Sequence, residues 1–117
     1  MPLIMVVDGD LKVGDTIRQE LFRMGIRDLV VETRSNGYGA INALNHRFPP
    51  HLFICSLETC RELPAQIKAR SACVKVLATT TELEPQDSGG ADEVLRKPFG
   101  PSELEPIVRR LLALAEA

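Results

Sequence analysis

The sequence predicts an α/β protein in which a parallel sheet is covered by helices on both faces. Residues 3–7 (LIMVV) and 52–55 (LFIC) are continuous apolar runs, not alternating ones, as expected of strands buried on both sides. Such runs alternate with stretches of helical period in the order βαβαβαβ(α)βα. Alternation of this kind builds a parallel sheet sandwiched between helical layers.

The elements follow in chain order. The first strand, residues 3–7, ends abruptly at Asp8-Gly9-Asp10. Val13, Ile17, Leu21 and Met24 then fall on one helical face, and Gly25 is the expected stop. Residues 29–33 (LVVET) form a second strand, and Ser35-Asn36-Gly37 supplies turn and cap chemistry. Ala40, Ile41, Leu44 and Phe48 share a helical stripe that Pro49-Pro50 terminates. The third strand, residues 52–55, delivers Ser56 to its C-terminal end. Thr59 and Glu62 have capping-box spacing, but Pro64 arrives too soon for a helix to run through smoothly, so a short helix is expected from about residue 64 to 70 with Ile67 as its anchor. Residues 74–79 (VKVLAT) form the fourth strand, with Lys75 snorkelling near its start.

Residues 80–88 (TTELEPQDS) hold one proline and a single large apolar residue, Leu83. They offer no hydrophobic face, so a turn, loop or single helical turn is expected where the alternation calls for a helix. Residues 93–95 make the fifth strand. Ser102 and Glu105 have capping-box spacing ahead of a stripe of Leu104, Ile107, Val108, Leu111 and Leu112, with Pro106 near its entry.

Bulk properties narrow the function. A chain of 117 residues is expected to form one domain, residues 1–117. Apolar residues at 44% and charged residues at 26% exclude disorder as the default, and a net charge of −2 points to neither nucleic acid nor an anionic membrane. The N-terminus lacks the features of a secretory signal. Cys55, Cys60 and Cys73 are odd in number and follow no ligand spacing, so reduced thiols, no metal centre and a cytoplasmic location are expected. His46 and His51 flank Pro49-Pro50 at the opposite end of the sheet and read as surface residues.

Functional groups of open α/β sheets gather at the strands' C-terminal ends. Lys97 stands there, after the fifth strand and before Pro98. A buried ammonium needs an anionic partner, and Asp8 at the end of the first strand is the best candidate.

With IMVVDGD, SNGYGAINAL, PPHLFICS, VLATT and GADEVLRKPFGPSEL in this order, the chain resembles the receiver domain of two-component response regulators over nearly its full length. The last segment is the most specific. The resemblance implies a CheY-like, flavodoxin-like three-layer fold with five parallel strands in the order 2-1-3-4-5, while residues 80–88 depart from it by leaving the helix between the fourth and fifth strands short or missing. In the family, a carboxylate ending the third strand accepts a phosphoryl group, and two acids after the first strand hold magnesium. A hydroxyl ending the fourth strand and the lysine before proline hold the phosphoryl oxygens.

Carried over, Asp8 matches the first acid, but Gly9 stands where the second should be. Asp10 is adjacent and is expected to approach the first helix as a cap. Ser56 occupies the acceptor position. Thr79, or Thr80 if the register slips by one, fits the switch hydroxyl and reads as a satisfied strand-end group. Lys97 matches, and Val94 replaces a frequent switch aromatic. The Met-Pro and Asp-Gly elements that usually follow the acceptor are absent, and the gaps from Ser56 to Thr79 and from Thr79 to Gly90 are shorter than the family's.

These departures imply a degenerate pocket. Lys97 is expected to pair with Asp8 and to hydrogen-bond Ser56, without sensing phosphate. The expected role is non-enzymatic: a bacterial signalling module that binds a protein partner, an effector domain or a second copy, with no cofactor and no metal. Its contact face is expected around the fourth and fifth strands, where Leu83 and Val94 are candidates for exposure. One alternative is a magnesium-dependent receiver using another acid. Glu58 could accept phosphate or mimic its charge, but its loop position lacks the lysine's geometry. Another is a small cofactor enzyme, disfavoured because the first loop, DGDLKVGD, carries three acids and no glycine-rich phosphate motif.

Overall fold

Five parallel strands, β1 (Ile4–Val7), β2 (Leu29–Glu32), β3 (Leu52–Ser56), β4 (Lys75–Thr80) and β5 (Glu93–Arg96), form one sheet in the order β2-β1-β3-β4-β5. The computed structural model describes residues 3–32, 38–45, 49–82 and 89–116. Among these residues there are four helices: α1 (Leu11–Arg23), α2 (Tyr38–Leu44), α3 (Leu63–Arg70) and α4 (Pro101–Glu116). Order and layering are those of the flavodoxin-like arrangement expected from the sequence. The expected turn or short helix between β4 and β5 falls on residues 83–88, outside the described residues, as do His46, Phe48 and the Ser35-Asn36-Gly37 turn.

The apolar runs are continuous because both faces of the sheet are covered. Ile4, Val6, Ile54, Leu77 and Leu95 face Ile17 and Leu21 of α1 and Leu104, Val108 and Leu111 of α4. Met5, Val7, Phe53, Cys55 and Val76 face Ala40 of α2 and Leu63 and Ile67 of α3. Adjacent residues of a strand therefore serve different cores, as the twofold period of strands requires. Burying each such large side chain is worth about 1.5–3 kcal/mol.

Helix α1 begins at Asp10, whose Oδ1 accepts from the Lys12 N–H at 2.9 Å. It ends in a Schellman arrangement: the Ile26 N–H donates to Leu21 O and the Gly25 N–H to Phe22 O, with Gly25 at φ 87°. Gly14 lets α1 approach β2, since a Cβ there would lie 2.9 Å from Val31 Cγ1.

Neither capping-box spacing caps a helix. Helix α3 is capped at Glu62 without a side-chain bond, and Thr59 instead accepts from the Gly9 N–H at 2.8 Å. Helix α4 starts at Pro101, ahead of Ser102, and Glu103 Oε1 accepts from the Gly100 N–H. Proline's preset φ favours the first helical position, so Pro106 falls inside the helix and Glu105 pairs with Arg109 one turn on.

His51 is also more than a surface residue. It is half-buried, and its Nδ1 accepts from the Leu3 N–H at 3.2 Å beside the start of the sheet. Among the described residues no helix is long and apolar enough to cross a membrane.

Candidate functional site

The parallel register brings the C-terminal ends of β1, β3, β4 and β5 to one rim. Ser56 lies opposite Thr79, and Thr79 opposite Leu95. Lys97 follows β5 directly, its N–H bonded to Thr80 O at 2.7 Å, and its peptide to Pro98 is cis. From there Lys97 Nζ reaches back across the rim. It lies 3.1 Å from Asp8 Oδ2 and donates to Ser56 Oγ at 3.0 Å. The structure thus brings Asp8, Ser56 and Lys97 together.

The pair is deep: the side chain of Lys97 is 12% exposed and that of Asp8 is 3% exposed. Asp8 Oδ1 is used locally, accepting from the Asp10 N–H at 2.8 Å. Asp8 Oδ2 meets Lys97 as an ion pair without hydrogen-bond alignment, so it is electrostatically satisfied despite having no directed bond among the described residues. Gly9 is exposed and tied to Thr59, and Asp10 is committed to capping α1.

The two threonines ending β4 part company. Thr79 shares the face of Leu77 and is buried, but its Oγ1 has no hydrogen-bond partner among the described residues. It is therefore not the satisfied hydroxyl expected from the sequence. Strand β4 runs one residue further than expected, and Thr80 turns to the other face. Its buried Oγ1 donates to Glu58 Oε2 at 2.7 Å and accepts from the Glu82 N–H at 3.1 Å. Glu58 Oε1 accepts from the Thr81 N–H at 3.0 Å and lies 3.7 Å from Lys97 Nζ.

Glu58 and Thr80 are the site residues that sequence reasoning placed too low. The available signal was adjacency: Glu58 is two residues beyond the acceptor position, and Thr80 one beyond the favoured threonine.

These residues do not fit a magnesium site. Asp8 is divided between Lys97 and its own loop, Asp10 faces α1, and a glycine replaces the other acid. Among the described residues no three His, Cys, Asp or Glu side chains are grouped to hold a metal ion. A hard divalent cation takes several oxygen ligands, whereas the rim already seats an ammonium against them. Burial, and secondarily Cys60, pushes the Cys55 thiol above its ordinary range, so this rim-adjacent cysteine is an unreactive protonated thiol.

A groove of about 430 Å³ opens beside Lys97, between Val13 and Thr16 of α1 and Pro98 and Phe99 after β5, with Thr81 on its wall. Val94 is half-buried and Leu83 lies outside the described residues. The large exposed apolar side chains of the described residues are Leu11, Phe22, Val30 and Leu114, on α1, β2 and α4.

No protein-family model matches the chain, and comparison with curated proteins finds no relative. Solved structures do match. A CheY-like receiver domain protein from Methanospirillum hungatei superposes with a TM-score of 0.83 at 22% identity, covering 99% of this chain and 97% of the other. The chemotaxis response regulator CheY4 of Vibrio cholerae gives 0.79 at 20% identity, covering 95% and 98%. A response regulator receiver protein from Burkholderia phymatum gives 0.78 at 24% identity, covering 97% and 96%. The fold of this chain is therefore that of response regulator receiver domains.

Proposed function

We propose that the chain is a receiver-type domain of bacterial two-component signalling that has left aspartyl phosphorylation behind. It acts in the cytoplasm as a non-enzymatic module that binds a protein partner or an effector domain. The observation that carries this reading is the 3.0 Å bond from Lys97 Nζ to Ser56 Oγ. A hydroxyl meets the lysine where the family resemblance places a phosphoaccepting carboxylate.

The chemistry follows from that exchange. A carboxylate is ionised at neutral pH and is a competent nucleophile, whereas a serine hydroxyl needs a general base. Ser56 has Lys97 as its neighbour, a donor and not a base, and His51 sits at the other end of the strand. The glycine at position 9 and the pairing of Asp8 also argue against a magnesium-dependent reaction.

The test is incubation with a small-molecule phosphoryl donor and magnesium, followed by intact-mass measurement. The chain is expected to keep its mass. A magnesium-dependent acyl phosphate on Glu58, Asp8 or any other acid would favour the competing reading, a working receiver with a relocated acceptor.

A further inference from the structure

The two edges of the sheet are finished differently. Strand β5 carries a charge at each end, with Glu93 paired to Arg110 of α4 and Arg96 exposed. Charged edge positions keep foreign strands away. At the opposite edge, Leu29, Val30 and Val31 of β2 are an uncharged apolar run, and Val30 is 50% exposed.

The ladder fixes which backbone groups that edge presents. The Ile4 N–H donates to Asp28 O, and β1 runs parallel to β2 with Ile4 opposite Leu29. Successive residues of a strand turn their backbone groups to opposite sides. Asp28 and Val30 therefore serve β1, and Leu29 and Val31 turn N–H and C=O outward. A groove of about 590 Å³ adjoins the start of the strand, lined by Leu29, Val30 and Pro49 together with Arg27 and Asp28.

Arg27 supplies the charge that selects an occupant. Arg18 and Arg23 have Asp15 and Glu20 as partners, whereas Arg27 meets no carboxylate among the described residues. Its guanidinium lies 5.4 Å from the centre of the Phe22 ring. A second copy of the chain is a poorer occupant than an acidic segment. Residues 27–34 (RDLVVETR), paired antiparallel with themselves about Val30 and Val31, set Arg27 opposite Arg34, and like charges directly opposite are destabilising.

We propose that the β2 edge is a docking site for an extended, acidic segment of a partner protein. The segment adds as a sixth strand on the outward groups of Leu29 and Val31, covers Val30 and sets a carboxylate against Arg27. The inference rests on the interaction-module reading and names its surface and the partner's chemistry.

The experiment is an NMR titration of the full chain with the blocked peptide acetyl-Glu-Val-Glu-Val-Glu-amide and its lysine counterpart, following the Leu29 and Val31 amides. The acidic peptide is expected to shift both amides and to bind roughly tenfold tighter than the lysine peptide, the scale of one attraction exchanged for one repulsion. Arg27→Glu should reverse that preference. Methylating the amide nitrogens along one edge of the peptide should abolish binding, and methylating those along the other edge should not. Unmoved Leu29 and Val31 amides overturn the site, as does equal binding of the two peptides. A concentration-dependent shift of these amides in the chain alone, with a dimer in sedimentation, would give the edge to a second copy and also overturn it. The titration is separate from the mass measurement. An acyl phosphate would defeat the module reading without moving the β2 amides, and a silent titration would remove this docking site while leaving the chain's mass unchanged.

Discussion

Asp8 and Glu58 approach the same ammonium from different elements, and their surroundings differ sharply. Asp8 closes β1, its side chain 3% exposed and 3.1 Å from Lys97 Nζ. Glu58 sits in the turn after β3, its side chain 37% exposed and 3.7 Å from the same nitrogen. Breaking a buried pair strands a charge in a poor solvent, whereas breaking an exposed one returns both groups to water. Depth therefore assigns Asp8 to holding the rim together and Glu58 to an exchangeable contact.

The comparison ranks four substitutions. Lys97→Met strands Asp8 and should cost about 3–5 kcal/mol in urea unfolding. Asp8→Asn keeps the acceptor for the Asp10 N–H but loses the charge, and should cost about 1.5–3 kcal/mol. Combined with Lys97→Met, its effect should be clearly less than additive, because the two residues share one interaction. Thr80→Val removes a buried hydroxyl that donates to Glu58 and accepts from Glu82, and should cost about 1 kcal/mol. Glu58→Ala should cost under about 1 kcal/mol. Since Glu58 is the more exposed partner, added salt should weaken its contribution more than that of Asp8. A Glu58→Ala chain destabilised as much as Lys97→Met would erase the distinction. A measured order that follows burial would sharpen it.

The same rim shows where sequence reading succeeds. Asp8, Ser56 and Lys97 were legible because each ends or follows an apolar run, and parallel strands bring such ends together. Thr79 and Thr80 were not separable by the same logic. Both are threonines at the end of one run, and a single-residue slip exchanges the faces they serve. Strand β4 extends to Thr80, which sends Thr80 toward Glu58 and leaves Thr79 opposite Ser56. The capping motifs failed for a related reason. Thr59 and Glu62 have local spacing, but the Thr59 hydroxyl is taken by the Gly9 amide, 50 residues away in sequence. Local spacing carries no information about a donor delivered by another strand.

By itself, the sequence determined the layered architecture, the strand ends that carry polar groups and the replacement of an acid by Ser56. Hydrophobic period and residue identity are local properties, and they survive without coordinates. The tertiary structure alone decided which hydroxyl faces which carboxylate, how deep each charge lies and what Glu58 touches. Those outcomes depend on register and on distances between segments remote in sequence, because the strength of a charge pair is set by the solvent that the surrounding fold excludes.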